Sequence, residues 1–143
     1  MNSNDFIEQM QKRFLDFKVL DTTCINTSGN NTLIIPIEKE GMIPSYKIAV
    51  YFLDDEFLTM NACFRHNAVL KKEMYELLKT IDNFNSQSFI KFNLEKEYLK
   101  ISYTLPVNLE LDLDKAVSVT SIIPNLISEY FVDLKKFLKF VDI

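Results

Sequence analysis

Residues 45–65 read SYKIAVYFLDDEFLTMNACFR, and this stretch decides the fold. Tyr46, Ile48, Val50 and Phe52 alternate with Lys47, Ala49 and Tyr51. Successive side chains of a strand point to opposite faces, so each set belongs to one side of a sheet. After Asp54-Asp55-Glu56 the alternation resumes, with Leu58, Met60, Ala62 and Phe64 on one face. Two alternating runs joined by so short an acidic turn predict an antiparallel hairpin.

Upstream, Thr32 to Glu38 is apolar and β-branched and predicts a third strand. Pro36 has no ladder donor, which points to an edge position. A charged loop around Gly41 joins it to the hairpin. Residues 19–31 are rich in Thr, Asn and Ser and read as loop, with Val19-Leu20 and Cys24-Ile25 as candidate short extended pieces. Phe6, Met10, Phe14 and Phe17 recur at helical spacing behind a loose capping box of Asp5 and Glu8. That first helix should end near Phe17 or Lys18.

Downstream, Asn67 is a good N-cap for a helix over about 68–84. Its apolar stripe is Leu70, Met74, Leu77, Leu78 and Ile81, and Asn85, Ser86 and Gln87 should end it. A second hairpin follows. Ile90, Phe92 and Leu94 form one arm, Glu95-Lys96-Glu97 the turn, and Leu99, Ile101, Tyr103 and Leu105 the other arm, closed by Pro106. Asp112 or Asp114 can cap a last helix bearing Ile123, Ile127, Tyr130, Phe131, Leu134 and Leu138. Pro124 either kinks that helix or opens a new one at its first position.

The expected order is α-β-β-β-α-β-β-α. Short connections favour antiparallel neighbours, and the amphipathic helices need an apolar face to cover. The fold class is therefore α+β: two layers, an antiparallel sheet of about five strands, helices on one face. The 143 residues suit one domain over 1–143, large enough for a core without staples.

Composition narrows the function. The formal net charge is −4, whereas duplex binding draws its affinity from concentrated Lys and Arg. Lys135, Lys136 and Lys139 are the densest basic group, and cations in the last turns of a helix answer its dipole. Nucleic acid is therefore not the expected partner. No apolar run approaches the roughly 18 residues of a membrane span, and the first residues lack the basic and apolar regions of a signal peptide. With two cysteines, Cys24 and Cys63, a cytoplasmic protein with reduced thiols is expected.

Catalytic signals are absent. His66 is the single histidine, at a strand–helix junction, and with Cys24 and Cys63 it falls one ligand short of a structural zinc site. Cys63 reads as a small packed side chain. The acidic groups Asp54-Asp55-Glu56, Glu95 with Glu97, and Asp112 with Asp114 sit at turns or helix starts, where solvated carboxylates belong. With 2 glycines there is no phosphate loop. No catalytic, cofactor-binding or metal residues are assigned, and no enzyme is expected.

The anomaly is aromatic: 12 Phe and 6 Tyr without Trp. If helices cover the face bearing Ile48, Val50, Met60 and Ile101, the opposite face carries Tyr51, Phe57, Phe89 and Tyr98 among Lys47, Thr59, Lys91, Lys100 and Thr104. Aromatic rings among polar groups have the makeup of a partner-binding surface. Cross-strand stabilisation is the alternative reading of the same rings.

From the second helix onward the chain resembles the YbjN family of proposed bacterial sensory-transduction regulators. The resemblance rests on Glu76-Leu77-Leu78-Lys79-Thr80-Ile81-Asp82-Asn83-Phe84-Asn85, on Phe89-Ile90-Lys91-Phe92, on Leu99 to Pro106, and on the closing helix with Tyr130. It implies a fold similar to type III secretion chaperones and supplies no catalytic residues. Pro124 and the Asn-rich loop depart from the family pattern. The expected function is a regulator or adaptor that binds another protein. The alternatives are an export chaperone holding a partly unfolded substrate and, third, a small-molecule sensor. Homodimerisation is a second use of the aromatic face.

Overall fold

The computed structural model describes residues 3–13, 18–21, 31–41, 43–53, 57–67, 69–106 and 113–141. In chain order they form α1 (Ser3–Arg13), β1 (Lys18–Asp21), β2 (Asn31–Ile37), β3 (Tyr46–Leu53), β4 (Phe57–His66), α2 (Lys71–Gln87), β5 (Lys91–Leu94), β6 (Tyr98–Pro106), α3 (Leu113–Leu134) and β7 (Phe140–Val141). Every ladder is antiparallel. The sheet order is β1-β2-β3-β4-β6-β5, and β7 pairs with β4 at Arg65 and His66, beyond the stretch that pairs with β3.

The 45–65 stretch forms the hairpin its alternation predicts, with Leu53 opposite Phe57 and Val50 opposite Met60. Tyr46, Ile48 and Val50 are buried, as are Leu58, Met60, Ala62 and Phe64. The Phe52 side chain and the Asp54-Asp55-Glu56 turn lie outside the description, as do Phe14, Phe17, Cys24, Ile25 and Asp112. The second hairpin sets Leu94 opposite Leu99 and Phe92 opposite Ile101. Together with Leu33 and Ile35, the buried members of the two hairpins give one continuous sheet face, with Leu94 half-buried at its margin. The helices supply the other half of the core through Phe6 and Met10, Leu77, Ile81 and Phe84, and Ile123, Ile127, Phe131 and Leu134.

Among the described residues the sheet has seven strands, where the sequence leads to an expectation of about five. β1 is the Val19-Leu20 piece, so Lys18 opens a strand and does not close the first helix. β7 is two residues with no pattern of their own. Pro36 does not mark an edge strand, because β2 lies between β1 and β3. The pairing with β1 runs only as far as Ile34, however, so among the described residues Pro36 faces no ladder partner on that side. Gly41 has φ +58° in the turn where Glu40 and Ile43 exchange both backbone hydrogen bonds at 3.0 Å. This left-handed conformation favours glycine.

The helix boundaries shift for tertiary reasons. α2 begins at Lys71 with Leu70 at the cap and no side-chain cap bond. Asn67 is not the cap; its N–H donates to the Lys139 carbonyl at 3.0 Å, which ties it to the approach of β7. Leu70 and Leu78, both placed on the buried stripe, are exposed, and Met74 is half-buried. Asn85, Ser86 and Gln87 continue the helix instead of breaking it. α3 passes through Pro124 without interruption, which leaves the Thr120 carbonyl without its helical donor. Burial of Ile123, Ile127 and Phe131 outweighs that loss. Lys135, Lys136 and Lys139 follow α3 and do not cap its last turn.

Asn85 closes the free edge of the sheet. Its Oδ1 accepts the Phe92 N–H at 2.7 Å, and its Nδ2 donates to the Phe92 carbonyl at 3.0 Å. The amide thus imitates one residue of a neighbouring strand along β5, the last strand of the order. Lys91 Nζ donates to the carbonyls of Asn85 and Ser88, answering the C-terminal end of α2. Protected edges resist pairing with other chains. Asn85→Ala is expected to cost about 1–3 kcal/mol and to speed exchange of the Phe92 amide, measured by urea unfolding and hydrogen exchange.

Candidate functional site

Among the described residues, much of the aromatic surplus packs in or against the core. Phe64 lies 4.7 Å from both Tyr46 and Phe131 and 5.7 Å from Phe140, by ring centroids, and Phe131 stacks on Phe140 at 4.5 Å. A second group joins Phe84, Phe92 and Tyr130 at 4.5–5.5 Å. These clusters fasten α2 and α3 to the sheet, a packing role that composition alone does not reveal.

The face away from the helices follows from register. One row runs Ile34, Ala49, Asn61, Ser102, Lys91 from β2 to β5. Tyr51, Thr59 and Thr104 form the next row, then Phe57 and Pro106. In the other direction Pro36 stands beside Lys47, and Cys63 beside Lys100, which faces Asn93. Continuing the Ala49–Asn61 register by two residues brings Lys47 next to Cys63.

The four expected partner-binding residues do not form one patch. Tyr51 and Phe57 are neighbours at one end, where Asn61 Nδ2 donates to the Tyr51 hydroxyl at 3.1 Å. Tyr98 faces Arg65, eight positions along β4 from Phe57, a separation of about 26 Å. Phe89 is off this face: its ring packs edge-on against Tyr103, 5.2 Å away, on the core side. Burial holds the Tyr103 hydroxyl in its neutral form up to about 12. Phe57 and Tyr98 are 37% and 38% exposed, whereas Tyr51 is half-buried. Thr59, between Tyr51 and Thr104 in register, is buried, and its hydroxyl has no partner among the described residues.

Between the aromatic ends the face is hollow. One depression of about 460 Å³ is lined by Lys47, Asn61, Ala62, Cys63, Lys100 and Ile101. An adjoining one of about 520 Å³ shares Lys47 and Cys63 and reaches Pro36 and Ile37. Cys63 is exposed here, not packed in the core. Burial and Glu95 push its thiol up, and Lys100 offsets part of that rise. A thiol so disposed is a poor nucleophile at neutral pH.

His66 ends β4 on the core side and is buried. Its Nδ1 lies 2.7 Å from the Asn67 carbonyl, so that nitrogen carries the proton and donates, while Nε2 is buried with no partner among the described residues. The ring is 3% exposed, so solvent does not reach it directly. A further cleft of about 360 Å³ lies between the Glu40–Ile43 turn and the end of α3, lined by Phe131, Val132 and Phe140 with Glu40 and Lys135 at its margin. Among the described residues no three His, Cys, Asp or Glu side chains gather as a metal site. No described helix is long and apolar enough to cross a membrane.

No protein-family model matches the chain, and no curated protein sequence matches it. A solved structure does: YbjN of E. coli, described as "a putative transcription regulator", superposes with a TM-score of 0.59 over 94% of each chain at 13% identity. The chain has a YbjN-like fold.

Proposed function

We propose that this YbjN-like protein is a non-catalytic regulator or adaptor that binds another protein on the open face of its sheet. One observation carries the reading: the helices gather on one side, and the other, although Thr32 and Thr59 are buried in it, keeps a hollow with half-exposed rings at both ends. Concave surfaces with aromatic groups among polar ones suit partner binding. The likeness to YbjN supports the regulatory part of the reading. His66 and Cys63, the titrating side chains nearest a catalytic kind, are respectively buried and neutral, which supports the non-catalytic part.

The test is a paired substitution, Phe57→Ser with Tyr98→Ser, one at each end of the face. Both rings are exposed enough that the melting curve should move little. Association, followed by light scattering and by pull-down of the native partner, should weaken at least about tenfold, or roughly 1.4 kcal/mol. Tyr75→Ser, on the exposed side of α2, should leave association intact. Weakening by Tyr75→Ser alone would move the binding surface to the helices.

A further inference from the structure

We propose that the hollow at the centre of the open face docks an extended acidic segment of the partner protein, with carboxylates held among Lys47, Lys100 and Arg65. This rests on the open face being the binding surface. The chain has 20 acidic residues against 16 Lys and Arg. Yet the described β2–β6 residues on this face include Lys47, Arg65, Lys91 and Lys100 and no carboxylate. A cationic patch on an otherwise acidic molecule selects a partner by local charge complementarity.

The four cations are not equivalent. Lys91 is committed to the carbonyls of Asn85 and Ser88. Lys100 lies 3.1 Å from Glu95, but both side chains are about half exposed, so this pair is weak and exchangeable. Among the described residues neither Lys47 nor Arg65 has an ion-pair partner. These cations surround Cys63: Lys47 and Lys100 on the flanking strands, Arg65 two positions along β4. The thiol between them is held neutral, so it brings no competing negative charge. Two carboxylates border the site: Glu95, paired with Lys100, and Glu38, which lines the adjoining hollow.

The two hollows cross β6, β4, β3 and β2 through their shared residues. Three inter-strand steps span about 14 Å, the length of roughly four extended residues. So short a cationic row neutralises few phosphates, and nucleic-acid affinity grows with the number neutralised. A brief acidic peptide is the better match.

Cys63 is the reporter. Its alkylation by iodoacetamide in mildly alkaline buffer, where the thiolate is populated, is located by peptide mass spectrometry and followed with an oligo-glutamate peptide, an oligo-glutamine peptide of equal length, and oligo-thymidylate. Saturating oligo-glutamate should slow alkylation about tenfold. Added salt should abolish the protection, since screening weakens exposed charge contacts. Lys47→Gln with Lys100→Gln should abolish it too, with an unchanged melting curve; the salt series on the unaltered protein gives the same answer independently. Equal protection by oligo-glutamine would overturn the acidic partner while leaving the open face as a peptide-binding surface. Stronger protection by oligo-thymidylate would overturn the choice of peptide. No protection by any probe would overturn the docking site, and the Phe57 and Tyr98 substitutions would still decide the open-face reading separately.

Discussion

Replacing Phe64 with Ala is expected to cost about 3–5 kcal/mol of folding stability, the range for emptying a buried aromatic site. Phe64 is 1% exposed and touches rings from three other elements or segments: Tyr46 on β3, Phe131 on α3 and Phe140 on β7. Each such ring pair adds about 0.5–1.5 kcal/mol beyond area burial. The loss should therefore loosen α3 and β7 together, and hydrogen exchange at His66 and Phe140 should rise with it. Urea unfolding checks the magnitude. A loss below about 1 kcal/mol would mean that Phe64 faces solvent and that the sheet is turned over.

The second large effect separates two adjacent leucines. Leu77→Ala should cost about 2–5 kcal/mol, whereas Leu78→Ala should fall within about 1 kcal/mol. Leu77 is fully buried and Leu78 is 45% exposed, although a helical-stripe reading admits both. α2 meets the core through Leu77, Ile81 and Phe84, a stripe narrower than the apolar residues present. Equal losses at both positions would show a differently rotated helix.

The hairpins were legible because alternation in β3, β4, β5 and β6 is a local signal that tertiary packing then respects. Elements fixed by distant contacts were not. Asn67 has the chemistry of an N-cap, but its backbone is tied to Lys139, far along the chain, and the helix starts only at Lys71. β7 exists because β4 outruns β3 and leaves Arg65 and His66 in need of a partner. Asn85 resembles a helix breaker in sequence; in the fold its amide is occupied by Phe92.

The candidate site was legible by face and not by position. Alternation correctly puts Lys47, Tyr51, Phe57, Tyr98 and Lys100 away from the core. Phe89 lies outside any strand, so alternation had no hold on it, and contact with Tyr103 draws it to the core side. The gathering of Lys47, Cys63 and Lys100 needs the register of β4 with β6, strands separated by α2 and β5. No local pattern carries that pairing.

The most direct test of the open face as the binding surface is an oxidation footprint of the protein alone and with its native partner bound. Phe57, Cys63 and Tyr98 should become protected in the complex, while Tyr75 and Leu78 on α2 keep their reactivity. Protection confined to Tyr75 and Leu78, with the sheet residues unchanged, would contradict the account.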